Sequence, residues 1–204
     1  MFEAQDDKNP GDRKRIDAFT TPTIEYFGLG FCPRGLMKGR VAIPLHDPVG
    51  RLVGYAGRLV DESAVSELHP KYKFPTDRQR LGIQYEFKKA ALLYNAHRIK
   101  GQADHLVVVE GFASVWWLHQ MKVPNTVALM GASCSTEQGA IILEKTMMDG
   151  YIFVMADGDE AGARCAQSVF ERVGGKRWVQ RIDLAPGRQP TDCGFEEISK
   201  CCGV

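Results

Sequence analysis

The sequence predicts an α/β protein in which a parallel sheet is flanked by helices. Two short apolar runs, residues 105–109 and 151–156, are continuous rather than alternating, which is typical of strands buried on both faces of a parallel sheet. Two further strand-like runs cover residues 126–130 and 178–183. Helical patterns separate the four runs, so the order is β-α-β-α-β-α-β, which favours a sheet with helices on both faces.

The helices between these strands have local signals of their own. We predict the first over residues 113–121 and the last over residues 161–173, where Gly174 and Gly175 end it. The middle helix begins at a Ser135-Thr-Glu-Gln138 sequence, which is typical of a capping box, and continues to residue 145.

The first half of the chain has shorter, strand-like patterns. Runs at residues 40–45 and 51–60 predict a hairpin around an Asp-Pro and Gly turn. Residues 61–82 are polar and predict a long surface loop, and residues 86–100 predict a helix with Leu92, Leu93 and Ala96 on one side. We therefore divide the chain into a flexible tail (1–20), a small basic α+β subdomain (21–100) and the parallel-sheet domain (101–204).

The bulk composition excludes several classes of protein. The chain has 204 residues, of which 44% are hydrophobic and 25% charged, and this is an ordinary composition for a soluble protein. No apolar run approaches the roughly 20 residues of a membrane span. The N-terminus lacks a basic start followed by an apolar stretch, so we expect a cytoplasmic protein without a membrane partner. The six cysteines form no Cys-x-x-Cys pair, so a zinc ribbon is not supported.

Acidic residues follow two of the predicted strands. Glu110 ends the first run, and Asp157 and Asp159 follow the run at residues 151–156. Ligands bind outside the carboxyl ends of strands in open α/β sheets, so we expect the three carboxylates to converge there. Such carboxylates repel each other unless a hard cation lies between them, and oxygen ligands favour Mg²⁺ or Mn²⁺. Enzymes that act on phosphate groups commonly use a metal ion that is held in this way.

The Asp157-Gly-Asp-Glu-Ala-Gly162 segment has two other interpretations, a calcium loop and a plain surface turn. A calcium loop fails at its fifth position, Ala161, and at its twelfth, Ser168, where a bidentate glutamate is needed. A plain surface turn stays open, because acidic residues and glycine are common in turns.

The glycines beside these acids predict close approach of the backbone. Because glycine has no side chain, Gly111 and Gly158 would leave room for a phosphate or metal to approach the backbone. Gly162 would let the next helix begin close to the sheet, and the N-terminus of that helix would favour an anion.

Positive charge is concentrated in the first half, although the net charge is only +1. A basic half beside an acidic metal site is what a protein that contacts a phosphate backbone needs. A merely solvated surface is the alternative. The basic residues of this part are Arg34, Lys38, Arg40, Arg51, Arg58, Lys71, Lys73, Arg78, Arg80, Lys88, Lys89, Arg98 and Lys100.

Several motifs in order resemble the Toprim domain, and most closely the bacterial DnaG-type primases. In the second half they are Glu110-Gly-Phe after three valines, Leu118-His-Gln, Val127-Ala-Leu-Met-Gly-Ala-Ser133, and Asp157-Gly-Asp-Glu-Ala-Gly162. In the first half, residues 39–58, 70–75 and 87–94 resemble the stretch that precedes Toprim in these primases. The resemblance covers residues 26–197, nearly the whole chain.

This resemblance implies synthesis of short RNA primers on single-stranded DNA from ribonucleoside triphosphates. Glu110, Asp157 and Asp159 match the catalytic, metal-binding carboxylates of the family, with Mg²⁺ or Mn²⁺ as cofactor. Two metal ions would activate the primer hydroxyl and stabilise the leaving pyrophosphate. The candidate nucleic-acid- and nucleotide-binding residues are Arg40, Arg58, Lys71, Lys73, Lys88 and Lys89.

The chain departs from the family pattern at further acidic positions. Ser114 stands where an acid usually follows the glutamate, and Gln189, Pro190 and Thr191 replace an Asp-Pro-Asp-like element, so only Asp192 remains as a further metal ligand. We expect a fragment or a small relative from a mobile element, which needs a separate zinc-binding or helicase protein. A Toprim metal-dependent nuclease and a non-catalytic Toprim nucleic-acid-binding module stay open as alternatives.

Overall fold

The structure of the protein is a computed structural model, which describes residues 19–202. The predicted flexible tail therefore lies outside the described residues, except for its last two. Phe19 packs edge-on to Trp116 with ring centroids 5.5 Å apart. The backbone N–H of Thr20 donates to the side-chain oxygen of Gln120 over 2.7 Å. Phe19 and Thr20 are thus packed against the second half of the chain.

Two four-stranded sheets follow one another along the chain, with a two-stranded antiparallel sheet of Arg78–Arg80 and Ile83–Tyr85 between them. The elements of the first half are α1 (Thr21–Phe27), β1 (Gly30–Cys32), β2 (Arg40–His46), β3 (Leu52–Leu59), β4 (Tyr72–Lys73), β5 (Arg78–Arg80) and β6 (Ile83–Tyr85). Those of the second half are β7 (Ala103–Val109), α2 (Phe112–Gln120), β8 (Thr126–Ala128), α3 (Thr136–Lys145), β9 (Thr146–Val154), α4 (Glu160–Val173), β10 (Trp178–Arg181) and α5 (Phe195–Cys202).

The first sheet is antiparallel, with strand order β1-β2-β3-β4. The predicted hairpin is confirmed as β2 and β3, which pair from Arg40 with Leu59 to His46 with Leu52. In its turn, a carboxylate oxygen of Asp47 accepts hydrogen bonds from the backbone N–H groups of Val49 and Arg51. The predicted long loop is more ordered than expected, because it contains β4 and β5.

The predicted helix over residues 86–100 is wrong. This segment contains only two short 3₁₀ turns, at Lys89–Ala91 and Ala96–Arg98. Between them, Tyr94 forms a backbone bridge with Ala128. Leu92 and Leu93 are buried in two different cores, as consecutive residues of an extended segment are, and not on one helical face. Tertiary pairing with the end of β8 has therefore overridden the local helical pattern.

The second sheet is parallel, with strand order β10-β9-β7-β8, and it confirms the predicted α/β fold. Residues 106–109 of β7 are buried on both faces. One core packs Val107 and Val109 against α2, and the other packs Leu106 and Val108 against α3 and α4. The sheet is therefore covered by helices on both sides, and its carboxyl edge carries the predicted acids.

Element boundaries differ in places from the sequence prediction. The capping box of α3 is confirmed, since the Ser135 hydroxyl accepts from the Gln138 N–H and the Gln138 side chain accepts from the Ser135 N–H. Strand β9 begins at Thr146, five residues before the predicted start, and α5 was not predicted. Within residues 19–202, no helix is long and apolar enough to cross a membrane.

Candidate active site

Glu110 and Asp157 lie side by side at the carboxyl edge of the parallel sheet. β7 ends at Val109 and its neighbour β9 at Val154, so both acids follow adjacent strands. The backbone N–H of Asp157 donates to Oε1 of Glu110 over 3.2 Å. Both residues line a cavity of about 860 Å³, which lies between the two sheets and which we call the acidic cavity. The structure therefore brings these two predicted residues together.

The environment of Glu110 disfavours its charged form. Burial, and then the nearby negative charges of Asp157 and Asp159, raise the pKa of Glu110 to about 7. The hydrogen bond from the Asp157 N–H and the positive charge of Arg164 oppose this rise only in part. A carboxyl group with such a pKa is partly protonated at neutral pH, and binding of a cation would release the proton.

Asp159 has a different position from the other two acids. Its Oδ1 accepts a hydrogen bond of 2.8 Å from the backbone N–H of Gly162, which makes it the N-cap of α4. Asp159 is not among the residues that line the acidic cavity. The N-terminus of α4 is already capped by a carboxylate, so it does not offer the open anion site that the sequence predicted there.

Two of the three glycines near the acids are required by close backbone approach. A Cβ at Gly162 would lie 1.8 Å from the carbonyl oxygen of Asp157, and one at Gly158 would lie 2.3 Å from that of Ala185. A Cβ at Gly111 would meet nothing within 4 Å. Gly111 is therefore needed for no contact within the described chain.

The segment after β10 forms a further wall of the acidic cavity. Gln189, Thr191 and Asp192 line it, and Asp192 Oδ2 accepts from the Gln189 N–H over 2.8 Å. The carbonyl of Arg188 accepts from the Gly158 N–H over 2.8 Å, so this wall is bonded to the loop that carries Asp157. Asp192 thus faces the same space as Glu110 and Asp157.

The donor set fits one hard cation better than a closed metal cage. Within the described range 19–202, no group of three or more His, Cys, Asp or Glu side chains is arranged to hold a metal ion. Mg²⁺ is usually bound by one or two carboxylates together with water and substrate phosphates. Glu110 and Asp157 match that mode.

Arg58 and Lys71 are the predicted basic residues that reach the acidic cavity. Both form ion pairs with Oε1 of Glu62, from Arg58 Nη2 over 2.5 Å and from Lys71 Nζ over 3.3 Å. They come from β3 and from the residue before β4, so the antiparallel subdomain supplies the positive side of a cavity whose negative side is the parallel sheet.

Arg40 is buried and hydrogen-bonded to backbone carbonyl groups of its own subdomain. It is 4% exposed, and its Nη1 donates to the carbonyl oxygens of Gly57, Pro70 and Lys71 over 3.1, 2.8 and 3.3 Å. The guanidinium therefore joins β2 and β3 to the strand that follows. A contact between Arg40 and a phosphate stays a prediction, and this packing does not favour it.

The other three basic candidates are not among the residues that line the acidic cavity. Lys73 lies in β4 and is half-buried. Lys88 is exposed and pairs with Glu86 over 3.1 Å. Lys89 donates to the carbonyl of Met130 over 3.2 Å, and its ammonium lies 5.0 Å above the ring of Phe74. All three remain candidate nucleic-acid contacts.

Sequence reasoning missed the apolar part of the cavity wall. Phe74, Phe112 and Trp117 line it, and Met130, with a φ of 61°, turns the chain at the end of β8 beside it. These residues come from separate segments, so no local pattern could have grouped them.

Comparison with known proteins supports this architecture. A family model of the Toprim domain matches residues 104–182. The DNA primase of Deinococcus radiodurans is 33% identical over 159 residues, which cover 76% of this chain and 26% of that protein. The chain spans about a quarter of the length of the curated relatives it matches.

Solved primase structures show the same fold. The Aquifex aeolicus primase, with its zinc-binding and RNA polymerase domains, superimposes with a TM-score of 0.73 at 21% identity, over 96% of this chain and 56% of that one. A DnaG primase catalytic domain bound to single-stranded DNA gives a TM-score of 0.70 at 20% identity, over 94% and 70%.

The parallel sheet with acids at its carboxyl edge and the family match together define a Toprim domain protein. The antiparallel subdomain before it, the primase relatives and the shared fold narrow this further. The chain is a Toprim protein that resembles the catalytic core of bacterial DnaG-type DNA primases.

Proposed function

We propose that this chain is the catalytic core of a primase-type nucleotidyltransferase, which makes short RNA primers on single-stranded DNA. One observation carries the proposal: Glu110, Asp157 and Asp192 line the same cavity as Arg58 and Lys71. Carboxylates suit a divalent cation, and the cationic side chains suit the phosphates of a nucleotide. A site for nucleotidyl transfer needs both.

Glu110 and Asp157 are the residues that would hold Mg²⁺ or Mn²⁺. When bound, the ion would supply Lewis-acid activation and neutralise charge on the reacting phosphate. Arg58 and Lys71 would hold the triphosphate from the opposite wall. Asp159 has Oδ1 committed to the Gly162 N–H, so its Oδ2 is the oxygen that we propose as an additional ligand.

We propose residues 21–100 as the subdomain that binds template and residues 101–204 as the Toprim domain. The substrates would be single-stranded DNA and ribonucleoside triphosphates, and a separate zinc-binding or helicase protein would assist with the template. We propose that the protein acts in the cytoplasm, where the DNA that it would prime lies.

A metal-dependent nuclease is the second candidate, because Ser114, Gln189 and Thr191 leave fewer carboxylates in the cavity than the family pattern has. A nuclease would use the same Glu110 and Asp157 with water as nucleophile. A non-catalytic module that binds nucleic acid is the third candidate, on the same observation.

Incubation with single-stranded DNA, all four ribonucleotides and Mn²⁺, with the products sized on a gel, tests the proposal. New short oligonucleotides are expected. Glu110→Gln and Asp157→Asn should each abolish them while the circular dichroism spectrum stays unchanged, and Glu25→Gln on the exposed side of α1 is the control. Shortened template would indicate a nuclease instead, and the absence of any product would contradict the proposed activity.

A further inference from the structure

Helix α2 begins at the wall of the acidic cavity without a side-chain cap. Its N-cap is Gly111, which has no side chain to cap the helix, and its first turn contains no acidic residue. Gly111, Phe112, Ala113 and Ser114 all line the cavity. The first N–H groups of a helix lack partners within the helix and carry partial positive charge, so this end favours an anion.

Ser114 is a second and independent sign of a ligand at this place. It is only 6% exposed, and its hydroxyl makes no hydrogen bond within the described part of the chain, residues 19–202. A serine inside a helix can bond back to a carbonyl of the preceding turn. Ser168 in α4 does so, donating to the Cys165 carbonyl over 2.7 Å. Ser114 lines the cavity, so a hydroxyl there without such a bond is available to a ligand.

The contrast with α4 shows why α2 is the helix that can take the anion. Both helices begin directly after a strand-end acid of the parallel sheet. Asp159 caps α4 with its carboxylate, whereas α2 has the neutral Gly111 at its N-cap and Ser114 at its third position. Arg58 and Lys71, from the opposite wall, add positive charge to the cavity into which α2 opens.

We propose that the first turn of α2, residues 111–114, forms a phosphate subsite beside the Glu110–Asp157 pair. It takes a phosphate group of the nucleotide substrate, held by the backbone N–H groups and by the Ser114 hydroxyl. The identification of this phosphate as one of a nucleotide rests on the proposed function. The cavity of about 860 Å³ lies within the size range of small-molecule sites.

The residue at position 114 decides whether the subsite exists. An acid there would place a negative charge in the first turn of α2, which would repel a phosphate. Serine replaces that charge with a neutral donor.

Titration calorimetry with tripolyphosphate, on the full chain in EDTA, tests the subsite without a divalent cation. Wild type is expected to bind. Ser114→Ala should weaken binding about tenfold, because a hydrogen bond to a charged group is lost, and Ser114→Asp should remove it. Glu110→Gln should strengthen it several-fold, because a neighbouring negative charge is removed. Equal affinity for wild type and Ser114→Ala, or no binding by wild type, would overturn the inference.

The source of the phosphate is tested with two ligands in the same buffer. ATP binding should weaken in Ser114→Ala, whereas binding of a short oligothymidylate without terminal phosphate should not change. If Ser114→Ala weakened binding of the oligonucleotide alone, the bound phosphate could not be assigned to a nucleotide substrate. Melting curves establish that both Ser114 variants are folded, and Ser114→Ala carries the test if Ser114→Asp is not.

These measurements need no primer synthesis, so the two proposals can fail separately. Ser114-dependent phosphate binding in a protein that makes no primers would refute the proposed function alone. Primer synthesis together with ATP binding that is independent of Ser114 would refute the phosphate subsite alone.

Discussion

The backbone N–H of Asp157 donates a hydrogen bond of 3.2 Å to Oε1 of Glu110, across two adjacent parallel strands. This bond fixes the two acids beside one another, so their charges repel in the absence of a cation. Burial and that repulsion raise the pKa of Glu110 to about 7. The pair is thus arranged for a ligand and not for stability.

We predict that Glu110→Gln stabilises the metal-free protein, and more so as the pH rises. The folded pKa of about 7 exceeds the value of about 4.3 in an unfolded chain. The ionised carboxyl therefore destabilises the fold at pH values above about 7, and this effect disappears as the pH falls to about 4. Melting temperatures in EDTA should coincide near pH 4 and favour the variant at pH 8.

The exposed Glu25→Gln is the matched control, and its melting temperature relative to wild type should not change with pH in this way. A stabilisation by Glu110→Gln that is constant from pH 4 to pH 8 would refute the role of ionised Glu110.

Divalent cations should stabilise wild type by binding only the folded form. A ligand at 100 times its dissociation constant adds about 2.7 kcal/mol to the free energy of unfolding. At pH 7, Mg²⁺ or Mn²⁺ should raise the melting temperature of wild type by several degrees and that of Glu110→Gln or Asp157→Asn much less. Equal shifts in all three proteins would place the cation elsewhere.

The two roles of Asp159 can be separated by substitution. Asp159→Asn retains an oxygen that can accept from the Gly162 N–H, so the cap of α4 and the stability should remain. Asp159→Ala removes the cap and should cost about 1 kcal/mol in urea denaturation. If Asp159 is also a metal ligand, both variants should lose Mn²⁺ affinity. Retained affinity in Asp159→Asn would leave Asp159 as a cap only.

Alanine substitutions should distinguish the glycines that shape the chain from the one that leaves space for a ligand. In Gly162→Ala the new Cβ would lie 1.8 Å from the Asp157 carbonyl oxygen, so the loop must move and both stability and Mn²⁺ affinity should fall. Gly111→Ala meets nothing within 4 Å and should fold normally. Melting curves and Mn²⁺ titration compare the two, and an unchanged Gly162→Ala would contradict the observed close approach.

The parallel-sheet half could be predicted from sequence because its signals are local. Continuous burial of residues 106–109 and the Ser135 capping box depend on neighbours in the chain, and both are confirmed. The juxtaposition of Glu110 and Asp157 followed from the rule that parallel strands end at one edge.

Long-range contacts account for what the sequence could not show. Leu92 and Leu93 have helical spacing with Ala96, but the backbone bridge between Tyr94 and Ala128 extends the segment. The anion-favouring helix was expected after Gly162, because the cap from Asp159 and the uncapped start of α2 are both invisible without coordinates.

Arg40 is the candidate phosphate contact whose structural role is most open to test. Arg40→Leu removes a buried guanidinium that donates to three carbonyl oxygens, of which that of Lys71 also accepts from the Leu59 N–H, and we expect a loss of about 3 kcal/mol in urea denaturation. Arg51→Leu is the matched control, because Arg51 is 81% exposed and makes one surface ion pair, which is worth less than about 1 kcal/mol.

Nucleotide binding separates the structural role of Arg40 from a phosphate contact. At a temperature where Arg40→Leu is fully folded, its affinity for ATP should equal that of wild type, whereas Arg58→Leu should weaken ATP binding because Arg58 lines the acidic cavity. A large loss of ATP affinity in folded Arg40→Leu, without loss of stability, would show instead that the guanidinium contacts phosphate directly. The carbonyl contacts of Nη1 favour the first outcome, since a phosphate could reach that nitrogen only by displacing them.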